Sequence, residues 1–405
     1  MTNKPKVLIL GASAESAAFM ELLLQEGLSL VCLDKKPALP VALLQRHQSN
    51  LKCLALDFSQ VDLVKELVLK EHISHTIALP VGRSLVVLGQ INDEFNFAGP
   101  SYEITDTLTN KLKFHEFCAT HGINHAPYIS LAPESLPLSA STIEHIEQTL
   151  GYPLIAKPNM GSGSLGVRVI ASRADLLSYR LPERFAHSTL LLEKLIVGTE
   201  FSVNVLVDNV GEAYLMGLFK KEISPEPYRQ EVAYFSANFS SIIKELQPFF
   251  KDLINKLNIR SSFLHADTLI SAQGPIVVDI SPRLAGNKVL SLLCQAGNNP
   301  LALYHNVIVK GQKPCIKEQS NACVLRFLNF ERPFVYRKPV LRSLDKIFNA
   351  QEQEHILRWR NELKYGYSYG PMVCGSDTLR GFIMAHHESL ELADDLCRRF
   401  VAALV

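Results

Sequence analysis

Two apolar, strand-patterned stretches each carry an aspartate in their interior: Phe263-Leu264-His265-Ala266-Asp267-Thr268-Leu269 and Val277-Val278-Asp279-Ile280-Ser281-Pro282-Arg283. A buried carboxylate is costly unless it is paired or bound to a cation, so the fold must bring both acids to a partner. Gln273-Gly274-Pro275 between them reads as a turn, which makes Phe263 to Ile270 and Ile276 to Ile280 a hairpin. Paired in this way, Asp267 and Asp279 lie on adjacent strands and can share Mg²⁺ (or Mn²⁺), an ion that takes oxygen ligands and bridges phosphates. Ser281, two residues after Asp279, points to the same face. Arg283 then supplies a fixed cation for charge developing on a transferred phosphoryl group. The competing reading is that either aspartate simply pairs with Arg283.

Upstream, the apolar run Leu154-Ile155-Ala156 ends in Lys157 and leads into Pro158-Asn159-Met160-Gly161-Ser162-Gly163-Ser164-Leu165-Gly166. Three glycines and two serines make a flexible loop whose amides and hydroxyls can wrap a phosphate oxygen. No Gly-Lys-Ser/Thr ends it, and Val167 to Ile170 continues as a strand pattern, so this is a lid between two strands rather than a Walker A loop. An ammonium about 4 Å from a phosphate charge gains roughly 4 kcal/mol at an effective dielectric of about 20, before desolvation. That gain accounts for Lys157 at the end of an apolar strand, which a plain hairpin leaves unexplained.

The first hundred residues alternate Val7 to Leu10, Leu28 to Leu33 and Thr76 to Leu79, read as buried strands, with helical patterns at Ala17 to Leu24 and Val61 to Leu69. Such alternation predicts a parallel sheet with helices packed on it. Gly11-Ala12-Ser13-Ala14-Glu15-Ser16 and then Asp34 are placed like a dinucleotide-binding turn. Ser13 and Ser16 replace two of its three glycines, however, and a tight strand-to-helix turn is the plainer reading. One helix is expected over Asp106 to His121, a Pro-bearing connection over His125 to Ser141, and a β-rich pattern from Pro153 to Val207. An amphipathic helix carries the stripe Ile242, Ile243, Leu246, Phe249, Phe250, Leu253 and Leu257. From about Gln312, short strands mix with a closing helix near Leu390 to Leu404.

A chain of 405 residues is long enough for two or three domains. With 41 Lys+Arg against 40 Asp+Glu, a formal charge of +1 argues against a broad surface for nucleic acid or anionic membrane, yet permits a local phosphate pocket. No run approaches the roughly 18 apolar residues that span a bilayer, and Val7 to Leu10 is too short for a signal-peptide core. The eight cysteines are scattered without a C-x-x-C pair, which reads as free thiols in a reducing, cytoplasmic setting.

Together these segments resemble the ATP-grasp superfamily over most of the chain, in the carboxylate-amine ligase branch near biotin carboxylase and the L-amino acid ligases. The resemblance implies an α/β fold (α+β overall) in three parts. These are an N-terminal parallel-sheet pre-ATP-grasp domain at 1–100, an ATP-clamping domain at 101–311 with a β-rich lid at about 125–195, and a C-terminal α+β part at 312–405. Asp34-Lys35-Lys36-Pro37 and Asn96 to Ser101 are similar to segments of the first part. Lys111, after Asn110 where the family usually has Asp, and Lys157 match the two ATP lysines; Ser162, Gly163 and Ser164 match the loop over the phosphates. Leu191 to Glu200 is similar to the hinge that holds adenosine. Glu193 with the backbone at Lys194 and Ile196 would meet adenine, and Glu200 the ribose hydroxyls. Asp267, Asp279 and Ser281 stand where the family usually has Glu, Glu and Asn; each Asp is shorter by one carbon-carbon bond, about 1.5 Å. Glu231, His265, Arg283 and Asn287 are expected around the substrate, with Arg83 as a further contact.

The implied activity is ligation through an acyl phosphate, with ATP and Mg²⁺ or Mn²⁺ as cofactors and a small-molecule carboxylate and amine as partners. Many such ligases are homodimers, a state that no segment here defines. The rival readings are an NAD-dependent oxidoreductase using Gly11 and Asp34, and an ATP-binding regulator that lost turnover at the shortened metal ligands.

Overall fold

The computed structural model describes residues 4–14, 16–80, 84–135, 138–286, 288–320, 322–339 and 341–405. Four parallel strands open the chain: β1 (Lys6–Leu10), β2 (Ser29–Asp34), β3 (Leu51–Ala55) and β4 (His75–Thr76), in the order β3-β2-β1-β4. In β1, Val7 and Ile9 enter one core while Leu8 and Leu10 enter another on the opposite face. Successive side chains of a strand point to opposite faces, so an unbroken apolar run belongs in a sheet covered on both sides. β3 escapes sequence reading because it is a half-exposed edge, with Lys52 and Ala55 in solvent. Asp34 serves the turn itself, its carboxylate accepting from Ala12 N at 2.9 Å and Lys36 N at 3.0 Å.

The expected single helix over Asp106 to His121 is two helices, Tyr102–Thr109 and Lys111–His121. Asn110 is extended between them, and its side chain accepts from Lys113 N at 3.1 Å, an N-cap that starts the second helix on Lys111. The expected connection over His125 to Ser141 holds a strand, β5 (Tyr128–Leu131). It joins β6 (Leu154–Pro158), β7 (Arg168–Ile170) and β8 (Leu190–Lys194) in the order β5-β8-β6-β7. This sheet has its own small core, built on Ile146, Leu154, Ala156 and Leu192.

The largest sheet contains β9 (Gly198–Val207), β10 (Ala213–Ile223), β11 (Glu231–Ser236), β12 (Ser262–Ser271), β13 (Gly274–Ser281) and β14 (Ala322–Phe327). After the short β15 (Phe334–Val335) come β16 (Ile356–Asn361), β17 (Ser368–Tyr369) and β18 (Gly381–His387). The order is β13-β12-β9-β10-β11-β14-β18-β16, while β15 and β17 form a separate two-stranded sheet among the described residues. The helix Ser240–Leu257 lays Leu246, Phe250, Leu253 and Ile254 on a core shared with β9 and β12, as its stripe predicts. All eight cysteines are free. No helix among the described residues is long and apolar enough to cross a membrane.

Candidate active site

The expected β12–β13 hairpin forms, and a register shift between Asp267 and Thr268 sets Asp267 directly opposite Asp279 and His265 opposite Ser281. Above this floor, β6 delivers Lys157 and turns into the glycine loop, β8 ends at Glu193 and Lys194, and Asn110 starts the helix that carries Lys111. One narrow cleft of about 120 Å³ is lined by Lys111, Lys157, Ser162, Gly163, Ser164, Glu193, Lys194, Ile196, Glu200, Asp267 and Asp279. Residues far apart in sequence thus converge because two sheets close on each other across the hairpin. Apolar side chains of Ile155, Leu195, Ile196 and Leu269 line the same cleft, a surface suited to a flat ring.

Charges in the cleft are matched locally. Lys111 Nζ lies 3.2 Å from Asp279 Oδ1 and donates to Gly161 O at 3.3 Å. Lys157 Nζ is 2.6 Å from Glu193 Oε1 and donates to Val278 O at 3.1 Å. Glu200 holds Lys221 and Arg229, each at 2.7 Å. Burial alone raises the Glu193 carboxyl pKa, but Lys157 and His115 outweigh it and hold the group below its ordinary range. Partial enclosure raises Asp279, 48% of whose side chain is open to the cleft, but Lys111 and Lys157 outweigh it and draw the group below its ordinary range. Asp267 goes the other way: burial, with Glu200 and Glu231 nearby, lifts it to about 7 against the pull of Lys221. His265 is pushed down to about 3 by burial and by Arg283 and Lys221, so its ring is neutral. Its Nε2 sits 3.2 Å from Ser202 Oγ and 3.7 Å from Asp267 Oδ1.

The oxygen donors around Asp267 suit a divalent cation. Asp267 Oδ2 is 2.9 Å from Lys221 Nζ, while Oδ1 is buried without a hydrogen-bond partner. That orphaned oxygen, opposite Asp279, is what an oxygen-seeking cation would satisfy. No cluster of three His, Cys, Asp or Glu suited to a metal occurs among the described residues, so a cation here would rest on two carboxylates. Mg²⁺ fits that number, because it keeps waters and takes ligand phosphates alongside one or two carboxylates.

Glu231, His265, Ser281 and Arg283 do not line the cleft but border it. Glu231 starts β11 and acts electrostatically on Lys221 and Asp267. Arg283 faces Asp279 and Asp267 and donates to Leu284 O at 2.7 Å. Asn287 and Arg83, with Glu15 of the first glycine turn, lie outside the described residues.

Lys221, Arg229 and His115 escape the sequence reading. Lys221 had a signal: in Leu218-Phe219-Lys220-Lys221, strand alternation sends one of two consecutive lysines inward. His115 had none, since only the fold brings its Nε2 to 2.6 Å from Glu193.

Residues 150–291 match the family model of the ATP-grasp domain. The L-arginine-specific L-amino acid ligase of Bacillus subtilis is 24% identical over 272 residues, which is 62% of this chain and 62% of that ligase. This chain spans less than two thirds of the length of such curated relatives. Among solved structures, an L-amino acid ligase from Bacillus licheniformis matches with a TM-score of 0.76 at 15% identity, covering 100% of this chain and 98% of that one. The biotin carboxylase domain of Hydrogenobacter thermophilus 2-oxoglutarate carboxylase, solved with MgADP and bicarbonate, matches with a TM-score of 0.67 at 13% identity, covering 96% and 88%. Residues 150–291 are thus similar to the ATP-grasp domain, and over its whole length the chain shares its fold with the L-amino acid ligase from Bacillus licheniformis.

Proposed function

We propose that the chain is an ATP-dependent carboxylate-amine ligase working through an acyl phosphate. The observation that carries this reading is the meeting of Lys111, Lys157 and a glycine loop with a facing Asp267/Asp279 pair in which Asp267 Oδ1 lacks a hydrogen-bond partner. In the first step a substrate carboxylate oxygen attacks the γ-phosphorus of ATP, the bond to the β,γ-bridging oxygen breaks, and ADP leaves. In the second an amine nitrogen attacks the acyl carbon, phosphate leaves, and the nitrogen releases a proton as the amide forms.

The protein's share is positioning and charge neutralisation. Lys111 and Lys157 exchange their carboxylate partners for phosphate oxygens, and Arg283 faces the transferred group. Glu193, Lys194 and Ile196 meet the base and Glu200 the ribose. Asp267 and Asp279, with Ser281 beside them, would hold Mg²⁺ or Mn²⁺, which supplies neutralisation of the phosphate oxygens when bound. Ser162, Gly163 and Ser164 close over the phosphates and keep water from the acyl phosphate. Support for this reading comes from relatives named as ligases and from a neighbour solved with MgADP.

An ADP-release screen over amino acids and small carboxylic acids, run with hydroxylamine, tests the scheme. ADP and a hydroxamate should accumulate together. Steady ADP release with a productive acid and no hydroxamate sinks the acyl phosphate. ATP binding without ADP release across the panel favours the regulator instead.

A further inference from the structure

Beyond the cleft lies a second cavity of about 880 Å³, roofed by the segment Gly375–Arg380. That segment joins the two spaces, because Gly375 N donates to Gly163 O of the glycine loop at 2.7 Å. The cavity's opposite rim includes Gly286 and Lys288, just past Arg283. It therefore begins where the reacting carboxylate would sit.

Its wall has a marked charge pattern. At the edge strand β16 and just beyond, Arg358, Arg360, Glu362 and Lys364 occupy alternate positions and all line the cavity. Of the residues between them, Leu363 is buried and Asn361 donates to Tyr336 Oη at 3.2 Å, while Trp359 packs against the C-terminal core and also reaches the cavity. Two of the cations are neutralised, Arg360 by Glu362 at 2.5 Å and Arg380 by Asp377 at 2.6 Å. Arg358 and Lys364 have no carboxylate partner among the described residues. Across the cavity stand the hydroxyls of Ser13 and Ser16, 3.1 Å apart, from the first glycine turn. A net positive, hydroxyl-bearing chamber of this size has more room than a reacting carboxylate needs, and chemistry for a second anion.

We infer that the acid substrate carries a second anionic group, a carboxylate or a phosphate-like group, remote from the carboxylate that is activated. Arg358 and Lys364 bind that group. This rests on the ligase reading for which carboxylate reacts, but the anion site can be measured without turnover.

The test is calorimetry on the full chain with ADP and Mg²⁺ present. The probes are dicarboxylic acids from succinate to adipate, their monoamides, and 3-phosphonopropionate as the phosphonate counterpart of succinate. At least one dianionic probe should bind roughly tenfold or more tighter than its neutral-tailed amide, as expected for a charge-assisted contact. The better of succinate and 3-phosphonopropionate identifies the headgroup. The Arg358→Gln/Lys364→Gln double variant should erase most of that gap while shifting the amide by less than about twofold. Both residues are exposed, so the variant is expected to fold. Equal binding of acid and amide, no binding by any probe, or a gap that survives the double variant overturns the inference. Tight dianion binding with neither ADP release nor hydroxamate would instead strike the ligase reading and leave the anion site standing.

Discussion

Under the glycine loop, Lys111, Lys157 and Lys221 each hold a carboxylate within 3.2 Å. In the cavity beyond Gly375, Arg358 and Lys364 hold none among the described residues. The contrast separates two ways of using charge. In the cleft, cations and acids fix one another around the buried Lys157, Lys221, Glu193 and Glu200, so the site is pre-shaped, and under the ligase reading a triphosphate would enter by exchanging partners. In the cavity, open cations draw an anion in and have no structural duty.

The largest difference should appear in stability. Lys221 lies among Glu200, Asp267 and Glu231, and those acids hold its ammonium well above its ordinary range although burial opposes them. Lys221→Met strands them, and breaking a buried pair costs about 3–5 kcal/mol. Lys364→Met, at an exposed position, should stay within about 0.5 kcal/mol. Urea denaturation of both variants checks this, and equal costs would erase the distinction. Adding Asp267→Asn to Lys221→Met should restore part of the loss.

Next comes catalysis. Lys157→Met should lower kcat by about 10²–10³, as loss of one preorganised charge-stabilising group does. Pairing it with Glu193→Gln removes the stranded acid and should recover stability without recovering rate. If rate returns with stability, Lys157 is a structural partner of Glu193 and the cleft holds one working lysine fewer.

The parts of this site legible in sequence were those with local signatures. The Asp-bearing strands, their Gly274 turn and the glycine loop each read correctly within a dozen residues, because strand alternation and turn chemistry are short-range. That Asp267 and Asp279 lie on adjacent strands followed from the hairpin, but a one-residue register shift beside Asp267, with no signature in the sequence, is what sets the two directly opposite. What stayed hidden depends on distance. His115 reaches Glu193 across 78 positions, and Arg358 meets Ser13 across a cavity that only the packed chain encloses. β5 and the break at Asn110 were missed for a subtler reason, since prolines and a helix-like stripe masked a short strand and a cap.

A smaller effect concerns the wall between the two spaces. A Cβ at Gly375 would meet Gly163 Cα at 2.9 Å, backbone that cannot swing aside. Gly375→Ala therefore forces the glycine loop outward, an overpacking cost of about 1–3 kcal/mol in a tight contact. The KM for ATP should rise roughly tenfold while dianion affinity changes little. A shift in both would mean that the roof, rather than the wall of β16, sets anion binding.

The finest test of the contrast is salt. Between about 0.1 and 1 M salt the screening length falls from about 10 Å to about 3 Å, and exposed charges lose their reach while buried pairs keep theirs. The Lys221–Asp267 coupling from a double-mutant cycle should then move by less than about 0.5 kcal/mol, because both groups are shielded from solvent. Dianion binding at Arg358 and Lys364 should weaken about tenfold over the same range. Salt-insensitive dianion binding would mean that the anion is held by the Ser13 and Ser16 hydroxyls in a desolvated corner. A salt-sensitive coupling would mean that water reaches the cleft, and that its pairs hold one another no more firmly than surface charges do.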